Sequence, residues 1–193
     1  MAAERLMSVG SEINPVKLDH PTLQFLRSYW DEKREGRAMP TRNDIRPTEL
    51  REHLGWMNLA EVLPGLEDFR FRLVGTLVTQ YFLREPTGKT ITEAFAEAGE
   101  GAVKGVKAIF RKTARDRVPM RVFGDAGWIA SGYEQFDSIY LPLSDDGETC
   151  NMVLNAFVFD RPRVLMAREI AKVHGGKVDA VPAAPPKKMP GAA

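Results

Sequence analysis

A chain of 193 residues with 27 basic and 26 acidic side chains carries a formal charge of only +1, so no global field draws it to nucleic acid or to an anionic lipid surface. A single cysteine, Cys150, excludes an internal disulfide and a cysteine-rich zinc site, and the length suits one ordinary domain plus tails. No apolar run is long enough for a signal peptide or a membrane span, which reads as a soluble, cytoplasmic protein with no membrane partner.

Residues 1–18 are mixed and aperiodic and read as a flexible leader. Asp19-His20-Pro21 marks a helix start, with Asp19 able to accept from an orphan amide and Pro21 tolerated in the first turn. Leu23, Leu26, Tyr29 and Trp30 follow at three- and four-residue steps, and Gly36 offers a stop, so this is an amphipathic helix with an aromatic-rich face. The segment PTRNDIRP, 40–47, holds two prolines and reads as a structured loop; 47–54 reads as a short helix with Leu50 and Leu54 on one side.

Strands are predicted at 57–63 and 69–75, separated by Pro64-Gly65. In the second, alternation sends Phe69, Phe71 and Leu73 to one face and Arg70, Arg72 and Val74 to the other. A helical segment follows at 76–84 with Leu77, Tyr81 and also Val78 inward, then a break at Thr87-Gly88 and one or two helical turns within 92–98. The strongest amphipathic helix spans 101–117: Val103, Val106, Phe110 and Ala114 form its apolar stripe, and Lys104, Lys107, Arg111 and Arg115 a basic stripe opposite. Three strands close the domain at 120–123, 133–143 and 150–159, the last two joined by the turn Ser144-Asp145-Asp146-Gly147. Residues 160–163 break the sheet, 161–176 hold a short C-terminal helix, and the Pro/Ala-rich 177–193 read as a disordered tail.

Several fragments fall into a familiar order: Tyr29-Trp30, the loop Pro40-x-Arg42-x-Asp44-Ile45-x-Pro47, the strand Phe71-Arg72-Leu73-Val74-Gly75-Thr76, the later Gly88, and Leu141-Pro142-Leu143 before a polar turn. Together, over roughly 20–160, they resemble a bacterial PAS-like family that includes small single-domain proteins of the MopJ type, linked to motility and cell-cycle control. The resemblance implies an α+β fold over 19–160. Its five-stranded antiparallel sheet has spatial order 2-1-5-4-3, with helices between the second and third strands covering one face and an added N-terminal helix. It implies no common enzymatic activity.

The candidate chemistry is sparse. Haem-binding domains of this fold ligate iron from the middle helix, yet His20, His53 and His174 all lie outside it; flavin photosensors need a cysteine after the second strand, whereas Cys150 sits at the last strand as a small hydrophobe. These positions argue against haem and covalent flavin and leave the cofactor unspecified, with no metal site and no catalytic constellation. Asp44 reads as a cap of the short helix or its preceding turn, braced by Arg72 from beneath the N-terminal helix near Tyr29 and Trp30. A ligand pocket between sheet and helices would be lined by Phe71, Leu73, Leu77, Tyr81, Val106, Phe110, Phe123, Ile139 and Leu154, with Tyr81 as its polar handle. The basic stripe has no interleaved aromatics, so nucleic acid is not the expected partner; its default is a solvated helix face.

The expectation is a non-enzymatic sensor or adaptor that regulates a partner by protein contact. The N-terminal helix would be its partner or homodimer surface, because Trp30 and its neighbours offer more apolar area than one sheet face absorbs. The alternative is a small-molecule enzyme on a cone-shaped α+β fold, using Asp137, or Glu134 on the same strand, as acid or base. An unpaired Asp137 in a cavity wall would favour it.

Overall fold

The computed structural model describes residues 20–82, 85–125 and 133–162, with the side chains of Tyr81, Asp125, Tyr133, Glu134 and 160–162 outside that description. The predicted leader, the rest of the C-terminal helix and the tail also lie outside the described residues, as does Asp19.

Helix α1 (Pro21–Lys33) is capped by His20, whose Nδ1 accepts from the Thr22 amide at 3.2 Å. That bond places the neutral ring's proton on Nε2. Leu23, Leu26, Tyr29 and Trp30 form the buried face. The chain buries this face on its own sheet, contrary to the surplus expected for a partner: Trp30 is 3% exposed, and its indole Nε1 donates to the Pro142 carbonyl at 2.8 Å. The predicted helix at 47–54 is a succession of tight turns, Leu50 N to Pro47 O and His53 N to Leu50 O, ending in the single 3-10 turn Leu54–Trp56. A segment this short does not repay helix nucleation when the chain must reverse into a strand.

Five strands, β1 (Met57–Val62), β2 (Phe69–Val74), β3 (Met120–Asp125), β4 (Tyr133–Leu143) and β5 (Met152–Pro162), form one sheet of order β2-β1-β5-β4-β3. All four pairings are antiparallel. Between β2 and β3 lie α2 (Thr76–Phe82), α3 (Ile91–Ala94) and α4 (Glu100–Asp116). The break expected at 160–163 does not interrupt β5, which continues to Pro162 opposite Tyr133 because β4 is equally long.

One irregularity re-aims β2. Leu59 pairs with Leu73 and Ala60 with Phe71, so Arg72 is an extra residue and the strand bulges. Beyond the bulge Leu73 no longer shares the face of Phe69 and Phe71, and it stands 44% exposed. The outer edge of β2 is covered by the turn that follows α2: Gly88 N donates to Phe71 O at 2.7 Å and Phe71 N to Lys89 O at 2.9 Å. This removes a bare sheet edge.

The two faces of the sheet carry different helices. On one, Phe69, Phe71 and Tyr140 set their rings against Phe110 of α4, with centroids 5.2, 6.3 and 5.1 Å away. On the other, the intervening residues Leu59, Ile139, Leu141 and Leu154 are buried where α1 lies against β4.

Candidate functional site

The residues grouped by sequence as one pocket do not share one. Phe71, Val106 and Phe110 are buried together on the α4 side. Ile139 and Leu154 are buried too, but they alternate with Tyr140 and Asn155 and so face α1. Leu73 is turned away by the bulge, and Phe123, 47% exposed, sits under the Arg121 guanidinium with 5.3 Å to its ring centroid. On α2 Val78 and Phe82 are buried, whereas Leu77 is half-buried against Gly55. The side chain of Tyr81, the predicted polar handle, lies outside the described residues.

The polar features of the α4 side are instead a row that the sequence reading missed. Asn58 on β1 pairs with Asn155 on β5, which pairs with Tyr140 on β4, so three polar side chains stand abreast on the face that meets α4. Asn155 is 0% exposed, and among the described residues neither its amide nitrogen nor its oxygen has a partner; the Asn58 nitrogen is likewise buried and unpartnered there. Gly75 N approaches the Asn58 oxygen at 3.4 Å. Burial pushes the Tyr140 phenol far above its ordinary range, so it stays neutral. The available signal was Asn155 as the single polar residue in the run Val153-Leu154-Asn155-Ala156-Phe157.

The motif residues of the first loop make a closed scaffold. Thr41 and Asp44 form a reciprocal capping box around the turn Arg42–Asp44, and Arg37 Nη2 donates to Asp44 Oδ2 at 2.9 Å. The Thr41 amide, its hydroxyl and Arg37 hold the Asp44 carboxyl below its usual range despite some desolvation. Asp44 therefore does cap a turn, but its arginine is Arg37. Arg72 is more than half exposed, with Glu61 3.8 Å away, because the bulge presents it to solvent. Tyr29 Oη accepts from the Arg46 amide at 2.9 Å and donates to Glu49 Oε2 at 2.8 Å, which Lys33 Nζ also reaches at 2.8 Å. Arg42 Nη1 donates to the Ile45 carbonyl at 3.0 Å, Pro40 O accepts from Ser144 N at 3.0 Å, and Pro47 O from Leu50 N at 3.2 Å. Gly75 is required by space: a Cβ there would lie 2.3 Å from Gly55 O and 2.4 Å from Leu54 O. Gly88 is required by its φ of +84°, a left-handed conformation at a turn.

The basic stripe of α4 is solvated at Lys104 and Arg115 but docked at Lys107 and Arg111. Lys107 Nζ lies 3.4 Å from Asp68 Oδ2, and Arg111 Nε donates to Leu66 O at 3.0 Å. Both tie the helix to the β1–β2 turn. Lys104 pairs with Glu100 at 2.6 Å on the exposed surface, and Arg115 Nε reaches Asp116 at 3.2 Å.

Asp137 does line a cleft, of about 610 Å³, with His20, Arg121, Phe123, Gln135 and Val158. It is not a free base. Arg121 grips it in a bidentate pair, Nε to Oδ1 at 2.9 Å and Nη2 to Oδ2 at 2.7 Å, so the condition that would have favoured the enzyme is not met. Nor is the fold the cone-shaped one, since the longest helix, α4, lies between β2 and β3. Cys150 is buried beside β5, and burial pushes its thiol up to about 11. Among the described residues no group of three or more His, Cys, Asp or Glu could hold a metal, and no helix is long and apolar enough to cross a membrane.

Comparison with known proteins bears on this geometry. The model of a PAS domain family matches residues 18–157. Among solved structures the chain is similar to the PAS domain of Bordetella pertussis BvgS, at 12% identity and a TM-score of 0.46, covering 66% of this chain and 93% of that one. A comparison with curated proteins finds no match. The family match defines no subtype within the family.

Proposed function

Because the chain belongs to the PAS domain family, whose fold is a sensory and signalling module, we propose that it is a non-enzymatic sensor or adaptor that regulates a partner by protein contact, gated by a small ligand held between the sheet and α2–α4. One observation carries this reading: β4 touches both helical layers. Tyr140 meets Phe110 of α4 on one face, and two residues later the Pro142 carbonyl holds Trp30 of α1. A ligand that displaces α4 therefore bears on the strand that positions α1.

The outward side of α1 is the proposed contact surface. Its apolar feature is Phe25, 38% exposed and stacked on His53 at 4.3 Å. The carboxylate that an enzyme would need, Asp137, is committed to Arg121.

Native mass spectrometry of the freshly purified protein, paired with hydrogen exchange, tests the reading. The expected result is a retained small molecule whose removal raises exchange in α4 and β4 and changes it in α1. No retained molecule, or a ligand whose removal leaves α1 unchanged, would refute the gating. Affinity capture should recover a partner with the parent chain and lose it with Phe25→Glu; equal recovery would move the contact elsewhere.

A further inference from the structure

We infer that the Asn58–Asn155 row is a recognition element for a small uncharged molecule that presents a hydrogen-bond donor beside an acceptor on an otherwise flat, apolar body. The inference rests on the sheet–α4 ligand site proposed above and names the chemistry that site would select.

Two carboxamides stand side by side at the centre of the sheet, and they do not satisfy each other. Three of their four polar atoms are buried with no partner among the described residues. Each has given up its hydration without a hydrogen bond in return there, which is costly. A leucine would fill the same branched volume with no such loss, so packing does not explain asparagine at these positions.

A carboxamide offers an acceptor and a pair of donors in one plane. Its complement is an edge of the same kind, as in a primary amide, a lactam or a nucleobase. The surrounding shell sets the rest of the ligand. Phe110 and Phe157 flank Tyr140 with ring centroids 5.1 and 6.0 Å away, and Phe82 lies 5.7 Å from Phe157. These walls suit a flat ring.

Charge is excluded by the same inventory. Among the described residues the buried polar ones are Thr22, Asn58, Thr113, Ser138, Ser144 and Asn155, together with the phenol of Tyr140, and none of these carries a charge. An ionised ligand there would be desolvated without a counter-charge. Because the unpartnered atoms are fully covered, binding must lift α2 or α4 from the sheet, and the ligand stabilises the state it enters.

The test uses nicotinamide as the probe, with nicotinate and toluene as controls of similar size lacking, respectively, neutrality and the polar edge. The side-chain amide resonances of Asn58 and Asn155 are followed by nitrogen–proton correlation spectra of the full chain. Nicotinamide should shift both pairs saturably, and nicotinate and toluene should leave them in place. Asn155→Leu and Asn58→Leu should each weaken nicotinamide at least tenfold while folding normally by circular dichroism. Asn155→Ala adds no bulk and serves if leucine disrupts the core.

Undiminished binding by these variants overturns the inference, as do shifts of equal size with toluene. So do amide protons that exchange with bound water and ignore nicotinamide, which would make the row a structural hydration site. If native mass spectrometry shows a retained molecule that the asparagine variants keep, this inference fails and the gated-sensor reading stands. If nothing is retained and nothing shifts, both fail.

Discussion

Gly75→Ala is the sharpest structural test of how the sheet is joined to α2. The glycine's φ is not in the left-handed region, so alanine meets no backbone strain of its own. The obstacle is contact: a Cβ would sit 2.3 Å from Gly55 O, 2.4 Å from Leu54 O and 2.6 Å from Gly55 C, all backbone atoms. No rotamer change relieves this, so the Leu54–Trp56 turn or the end of β2 must move, straining the 2.8 Å bond from Gly75 N to Met57 O. Overpacking of this kind costs about 1–3 kcal/mol, and weakening one backbone hydrogen bond adds roughly 1 kcal/mol. A total of about 3 kcal/mol in a domain of this size lowers Tm by roughly 6–12 °C. Thermal unfolding followed by tryptophan fluorescence measures it. Gly88→Ala is the internal control: its φ of +84° makes alanine strained, but nothing lies within 4 Å of the added atom. Its cost should be about 1–2 kcal/mol. A Gly75→Ala variant melting within 2 °C of the parent, or above Gly88→Ala, would refute the steric argument.

Trp30→Ala should cost about 3–5 kcal/mol, whereas Trp30→Phe should lose roughly 1 kcal/mol with the indole bond to Pro142. Urea titration checks both, and sedimentation should show the oligomeric state of Trp30→Phe unchanged, because the ring is buried on its own sheet. Leu73→Thr should stay within about 0.5 kcal/mol of the parent while Phe71→Ala loses about 3–5 kcal/mol; similar losses would mean that the two side chains share a face after all. Asp146 accepts from Thr149 N at 2.6 Å, Glu148 N at 2.8 Å and the Ser144 hydroxyl at 2.8 Å, which hold its carboxyl far below the usual range. A depressed carboxylate stabilises the fold above its unfolded pKa of about 4 and loses that contribution as pH falls towards the lower folded value. Asp146→Asn should therefore lower Tm at pH 7 and flatten its decline between about pH 4 and pH 2; parallel acid limbs for variant and parent would contradict the assignment.

The succession of strands and helices along the chain was legible because local rules agree, whereas their spatial order in the sheet was implied only by the family resemblance. Pro64-Gly65 turns β1 into β2, Ser144 to Gly147 turns β4 into β5, and the 3.6-residue stripe of α4 stands between them. What the sequence concealed depends on non-local contact. Strict alternation assigns Leu73 to the core, and only the pairing with β1 shows that Arg72 is inserted and the phase lost. The aromatic face of α1 looks like surplus until the far side of the sheet is seen to need a cover. Asp44 invites an arginine, but sequence distance does not separate Arg37, seven positions away, from Arg72. Lys107 and Arg111 repeat at helical spacing whether or not a turn lies within reach. For the interior, Asn155 was visible as a lone polar residue in an apolar run, yet its meaning needed the register that sets it beside Asn58.

Both helical layers pack on β4, but their polar ties run to different parts of the sheet, and this bears on how a signal would cross it. α4 is tied by Lys107 and Arg111 to the β1–β2 turn, whereas α1 is tied by Trp30 to β4. β5 lies between those halves and carries Asn155. A molecule that engages Asn155 and raises α4 would pull on β1 and β2 relative to β4, and α1 would follow β4. Replacing both tethers, Lys107→Met with Arg111→Met, should therefore leave ligand binding within a few-fold of the parent, since neither side chain faces the interior. It should cost little stability, about 1 kcal/mol or less for each partly exposed contact. Yet the ligand-dependent change of hydrogen exchange in α1 should shrink markedly, because α4 would then move without its hairpin. An undiminished α1 response in the double variant would mean that the signal passes through Phe110 and Tyr140 alone.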